Sequence, residues 1–279
     1  MLNEKFSSNN FSKKHISFFK KEGYILAKKV ISLKDIQILR KSIHAALQKV
    51  LGSEKVDKIF NGKDPNKQMI LLRKKRPDLF AKFFDTLQTL SSIYLAISNE
   101  KIINIVSKLL GINNHALTLT DVGIRLDAPH DTRNSLGWHQ DSSYYRQNNN
   151  GKNGIVLWIP IFEIEKNMGN LQYLRYSHKL GPLNTPKKKQ SGKFASKKRN
   201  INSQSLKNFK EVLKSKANVG DALLMNHDMV HRSGRNLNKN KVRVTMLARF
   251  HNMLSNDFNP GFNVYKYSDK KLNFSLHGF

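Results

Sequence analysis

The feature that most constrains this chain is a change of hydrophobic period near residue 116. Before it, apolar residues return at steps of three and four. Leu33, Ile36, Leu39, Ile43, Ala46 and Val50 mark one face of a helix. Ser32-Leu33-Lys34-Asp35 opens it in the form of a capping box, and Gly52 stands where a C-cap belongs. A second helical zone covers 78–98. A third covers 99–110, carries Ile102, Ile103, Val106, Leu109 and Leu110, and is closed by Gly111. Ahead of them all, Gly23 to Ala27 reads as a short strand.

After residue 116 the period is that of short strands: Ala116 to Leu126, Ile155 to Phe162, Leu171 to Leu174, Ala222 to Met225 and Val242 to Phe250. Clusters of Asn, Asp, Gly and Pro separate them. Short strands without strand–helix alternation predict a mainly β fold with helical additions. The architecture expected is a jelly roll or related barrel behind N-terminal helices. At 279 residues the chain is long enough for one such core. Residues 1–14 read as a flexible N-terminus and 15–279 as a single domain. The basic stretch 180–208 reads as a surface loop or lid.

Composition narrows the chemistry. With no cysteine, disulfides, thiolate nucleophiles, iron–sulfur clusters and Cys-type zinc sites are excluded. A metal must be held by His, Asp or Glu, which favours a hard or borderline ion. The net charge is +29, but its positives are spread along the chain, from Lys13-Lys14 to Lys197-Lys198-Arg199. Solvated surface accounts for such a spread first, and an anionic small-molecule substrate second. Nucleic acid comes last, because no helix-turn-helix, zinc finger or basic–aromatic platform accompanies the charge. No apolar run approaches a membrane span, and no secretory leader is visible, so the cytoplasm is the expected location.

Trp138-His139-Gln140-Asp141 carries the functional argument. On an extended segment, residues two apart share a face. His139 and Asp141 can then offer an imidazole nitrogen and a carboxylate oxygen to one ion. A histidine from a distant strand would complete a two-histidine-one-carboxylate facial triad with open positions. Alone, His-x-Asp is a weak signal that also fits a solvent-facing pair in a turn. Downstream, Gly220 to Met225 reads as a turn entering a buried strand, which leads to His227 and His231. Either histidine could complete the set. Arg243 and Thr245 follow on one face of the next strand. There a guanidinium could clamp the distal carboxylate of 2-oxoglutarate, with the Thr hydroxyl adding a hydrogen bond. An ordinary ion-pair role is the alternative for Arg243.

Several segments together resemble the phytanoyl-CoA dioxygenase family of iron(II)/2-oxoglutarate oxygenases, over about residues 15–251. They are Phe18 to Tyr24 with Ser32-Leu33, Trp138 to Tyr145, and Trp158-Ile159-Pro160-Ile161. Gly169-Asn170-Leu171, Ser177-His178-Lys179, His231 to Asn236 and Arg243 complete the set. The resemblance implies a double-stranded β-helix, iron(II), 2-oxoglutarate and dioxygen. It further implies His139, Asp141 and His231 as iron ligands, and Arg243 as the 2-oxoglutarate anchor. It favours His231 over His227. The Asp141 carboxylate argues against a halogenating variant, whose iron lacks that ligand. Arg175-Tyr176 stands where many members have Pro-Gly.

Overall fold

Ser32 Oγ accepts the Asp35 backbone N–H at 3.1 Å and donates to the Asp35 carboxylate at 2.6 Å. That cap starts α2 (Leu33–Gly52), whose buried stripe is Ile36, Leu39, Ile43, Ala46, Leu47 and Val50. Leu33, in the first turn, stays exposed. The expected zone 78–98 is two helices, α4 (Pro77–Gln88) and α5 (Ser91–Ile97), because the chain turns at Thr89 and Leu90. Asn99 caps α6 (Glu100–Leu110) by accepting from the Ile102 N–H, and Gly111 ends it at φ 71. Two further helices escaped the periodicity reading: α1 (Lys13–Glu22) and α3 (Pro65–Lys75). Each is rich in Lys and fully buries few side chains, so the apolar stripe is too thin to read.

This computed structural model describes residues 5–7, 11–52, 64–131, 136–143, 148, 150–183, 200–201, 203–207, 209, 211–260, 266–268 and 271–273. Tyr144, Tyr145 and both basic clusters of the 180–208 stretch lie outside them. The expectation of a mainly β fold is corrected. Among the described residues the six helices hold more of the chain than the strands do, which makes this a mixed helix/antiparallel-sheet protein. Lys5–Ser7 form β1, with Phe6 buried.

The main sheet has the order β1-β2-β7-β4-β9-β3. Its members are β1, β2 (Tyr24–Lys28), β7 (Ala222–Asn226), β4 (Gly154–Pro160), β9 (Arg243–Asn252) and β3 (Leu117–Asp127). All pairings are antiparallel except β1 with β2. A smaller sheet has the order β6-β5-β8, from Val212–Lys214, Leu171–Leu174 and His231–Ser233. The last strands, β10 (Lys266–Ser268) and β11 (Lys271–Asn273), pair with each other.

Period-2 alternation sorts every central strand into two faces. Val244, Met246, Ala248 and Phe250 of β9 join Ile155, Leu157 and Ile159 of β4 in the core beneath the helices. Val156, Trp158, Leu223 and Met225 face the other way and meet Leu171 and Tyr173 of the smaller sheet. Arg243, Thr245, Leu247, Arg249 and His251 alternate with the core residues of β9, so they share that inner face. On β3, the alternation of Ile124 and Leu126 into the core leaves Arg125 and Asp127 on the inner face. Charged residues between two sheets need partners, and the site is built from them.

Candidate metal centre

His139 and His231 form an isolated antiparallel bridge. Each backbone N–H donates to the other's carbonyl, at 3.0 and 2.9 Å. The bridge sets both imidazoles on one side, with ring centroids 4.2 Å apart. His231 opens β8 rather than ending the preceding strand, since the chain turns between β7 and β8. Asp141 begins a 3₁₀ turn (Asp141–Ser143) and does not continue an extended run. It still reaches the same point: Asp141 Oδ1 lies 3.6 Å from His139 Nε2 and 3.7 Å from His231 Nε2. Gln140, between the ligands, points elsewhere. Its amide donates to the carbonyls of Gly181 and Asp228 and accepts the Leu183 N–H, pinning residues 181–183 beside the site.

The donor set is ready for an ion. His139 Nδ1 lies 2.7 Å from the Gly137 carbonyl, and His231 Nδ1 lies 2.9 Å from the Met229 carbonyl. A carbonyl only accepts, so each Nδ1 carries the proton and each Nε2 presents its lone pair toward Asp141. Burial, then the neighbouring His231, pushes the His139 pKa down to about 3. Burial also lowers that of His231. Burial would raise Asp141, but Arg249 and the two imidazoles outweigh it and hold the carboxyl well below its usual range. Two donors about 2.1 Å from one ion sit about 3 Å apart at right angles and about 4.2 Å apart in line. The two separations from Asp141 Oδ1, 3.6 and 3.7 Å, fall between those limits. Among the described residues, His139, Asp141 and His231 form the one group of this kind, with donor atoms all within 4.8 Å of one another.

Arg249 was not foreseen from sequence. Its Nε donates to Asp141 Oδ2 at 2.7 Å, and its Nη1 pairs with Asp121. One carboxylate oxygen is thereby held by the guanidinium while the other faces the histidines. The pocket beside them is walled by Val156, Trp158, Leu247 and Met225, with Arg125 and Ser233 among its polar groups. Trp158 is thus part of the site wall.

His227 does not join the triad. It sits in the turn after β7 and faces His251, ring centroids 4.9 Å apart and nearly perpendicular. The expected clamp, Arg243, is already engaged. Its Nε and Nη2 donate to Asp127 Oδ2 at 3.2 and 2.8 Å, and its Nη1 to the carbonyls of Met168 and Gly234. Sequence could not show this, because Asp127 becomes its partner only through the β3–β9 register. Thr245 is fully buried on the same face. Tyr176 adopts a left-handed backbone (φ 64). The buried Glu22 holds that corner, accepting from Arg175 at 2.6 and 3.0 Å and from the Tyr176 hydroxyl at 3.3 Å.

Fold and cluster together define a class: a helix-backed antiparallel-sheet protein with a buried group able to hold one metal ion through two histidines and a carboxylate. The sequence profile of the phytanoyl-CoA dioxygenase (PhyH) family matches residues 19–244, and the chain belongs to that family. No curated protein matches the sequence. Among solved structures, the non-heme monooxygenase ThoJ superposes with a TM-score of 0.56 at 17% identity, covering 85% of this chain and 76% of that one. AviO1 from Streptomyces viridochromogenes Tue57 gives 0.55 at 14% identity, covering 88% and 97%. The α-ketoglutarate-dependent carbocyclase SnoK from nogalamycin biosynthesis gives 0.55 at 15% identity, covering 98% and 96%. At these identities the likeness is one of fold. No helix among the described residues is long and apolar enough to cross a membrane.

Proposed function

We propose that the protein is an Fe(II)- and 2-oxoglutarate-dependent oxygenase that hydroxylates a small organic molecule, with His139, Asp141 and His231 as iron ligands. The observation that carries this reading is the convergence of three buried donors from separate segments, each already in its metal-binding protonation state. Membership of the family, and the solved relative SnoN captured with Fe3+ and α-ketoglutarate, support the choice of iron and co-substrate. The scaffold is read as a double-stranded β-helix, whose two facing sheets enclose the site.

When bound, iron with 2-oxoglutarate and dioxygen supplies oxidative decarboxylation to succinate and CO2, and the oxidising power to hydroxylate a C–H bond. The chain does the rest. The Gly137 and Met229 carbonyls hold the two imidazoles in one tautomer, and Arg249 holds the carboxylate in one orientation. Val156, Trp158, Leu247 and Met225 exclude water from the reacting face. An inner face bearing Arg125, Arg243 and Arg249 suits an anionic co-substrate. The charge of +29 favours an anionic primary substrate as well.

Anaerobic addition of Fe(II) and 2-oxoglutarate to the protein is expected to give a weak visible charge-transfer band, and oxygen is expected to release succinate. His139→Ala and Asp141→Ala should lose both signals. Turnover retained in both variants refutes the assignment of the ligands.

A further inference from the structure

The face of the main sheet turned away from the metal centre is not fully packed. Between that face, α2 and α3 lies a cavity of about 430 Å3. Among the described residues, Ile43 and Leu47 of α2, Met69 of α3, and Val242 and Val244 form its apolar wall. All five belong to the core beneath the helices and are between 0% and 4% exposed. Val244 alternates along β9 with Arg249, the residue that holds Asp141. The cavity and the triad therefore lie on opposite faces of the sheet. Native interiors hold few voids larger than a water molecule, and an apolar one stays dry and accepts apolar molecules. Small organic ligands occupy sites of about 300–1,000 Å3.

The rim carries the charge. Arg40 Nε donates to the Ile161 carbonyl at 2.9 Å, and Nη2 donates to both Glu163 oxygens at 3.3 Å. The guanidinium also lies 4.7 Å from the centre of the Phe162 ring. These contacts fix the group, and among the described residues nothing bonds its Nη1. Of the Lys, Arg and Glu side chains at the rim, that of Arg40 is the least exposed, at 31%, against 74% for Glu163, 48% for Lys241 and 43% for Glu165. Lys241 and Glu165 neutralise each other. His44 follows Arg40 by one turn on the same face of α2. The charge nearest the apolar wall is thus a guanidinium with an open edge, which favours an anionic head.

We infer that this cavity is a second ligand site, for a carboxylic acid with an apolar chain. The chain lies among Ile43, Leu47, Met69 and Val244, and the carboxylate meets the Nη1 edge of Arg40 beside His44. This goes beyond the oxygenase reading and does not depend on it.

The test is calorimetry with three probes of equal chain length, each below its micelle concentration: decanoate, decan-1-ol and decyltrimethylammonium. Wild type is expected to bind decanoate one-to-one, and the alcohol and the cation at least about tenfold more weakly, as befits a charge-assisted hydrogen bond. Arg40→Gln should bring decanoate down to the affinity of the alcohol and leave the alcohol unchanged. Ile43→Phe adds bulk at the cavity wall, so it should abolish binding of all three while keeping the Tm at or above that of wild type. Should that variant fail to fold, Val242→Phe puts the same question. Saturating Mn(II) should not alter decanoate affinity, because the triad lies across the sheet. No decanoate binding overturns the inference, as do equal affinities for the three probes or undiminished binding to the filled variant. A decanoate affinity that changes with Mn(II) places the acid at the metal and overturns it too. The two readings fail separately: succinate release without decanoate binding sinks only this one, and decanoate binding without succinate release sinks only the other.

Discussion

Replacing Arg249 by Leu asks how much of the metal centre is assembled before any ion arrives. Asp141 is fully buried, and Arg249 is the guanidinium bonded to its Oδ2, at 2.7 Å. Taking that partner away leaves a carboxylate between two neutral imidazoles with its main counter-charge removed. Removing one member of a buried pair costs about 3–5 kcal/mol. In a chain of this size 1 kcal/mol corresponds to about 2–4 °C, so the metal-free Tm should fall by about 6–20 °C. A divalent ion supplies the missing positive charge to the same carboxylate. Saturating Mn(II) should therefore raise the Tm of Arg249→Leu by more than it raises that of wild type. The comparison belongs near pH 7.5. The folded pKa of Asp141 lies below its unfolded value, so the stability it contributes is present above about 4 and lost as pH falls toward the folded pKa. Differential scanning fluorimetry with and without Mn(II) reads both quantities. A metal-free variant within about 2 °C of wild type, or a smaller Mn(II) shift in the variant, refutes the role given to Arg249.

Acid should destabilise the metal-free protein early. Burial lowers the pKa of His139 and His227 to about 3 and of His251 to about 4, so between those values and 6.5 the unfolded chain binds more protons. Each such histidine removes up to about 1.4 kcal/mol per pH unit, and the urea midpoint should drop steeply from pH 7 to pH 5. A flat profile contradicts the burial of neutral imidazoles. Gly169→Ala should lower the Tm strongly, because φ is +72 and a Cβ there would lie 2.2 Å from the Arg235 carbonyl oxygen. Gly111→Ala has a similar φ with open space around it and should cost only about 1 kcal/mol. Equal Tm losses in the two variants would show that the close approach at Gly169 is not constraining. His227→Ala should leave Mn(II) affinity within about twofold of wild type, and a loss as large as that of His231→Ala would place His227 among the ligands.

What local pattern can carry was legible before any tertiary contact was known. The stripe of α2 with its Ser32 cap, the stop at Gly111, and the strands β4, β5, β7 and β9 follow from period and turn chemistry, which act between residues a few positions apart. The weight of helix in the fold was not, since α1 and α3 bury too little apolar surface to leave a stripe. In the candidate site, His139 and Asp141 were readable as a pair by spacing, while the choice between His227 and His231 was not settled by alternation. The tertiary structure separates them with a turn and pairs His231 with His139. The polar partners escaped altogether. Arg249 reaches Asp141, and Asp127 occupies Arg243, only through cross-strand register between segments more than a hundred residues apart. The one signal in the sequence was charge at alternate positions of otherwise apolar strands: Arg125 and Asp127 on β3, Arg243 and Arg249 on β9. Alternation tells that such residues share an inner face. Which of them meet is decided by how the strands align, because ion pairing acts through space and not along the chain.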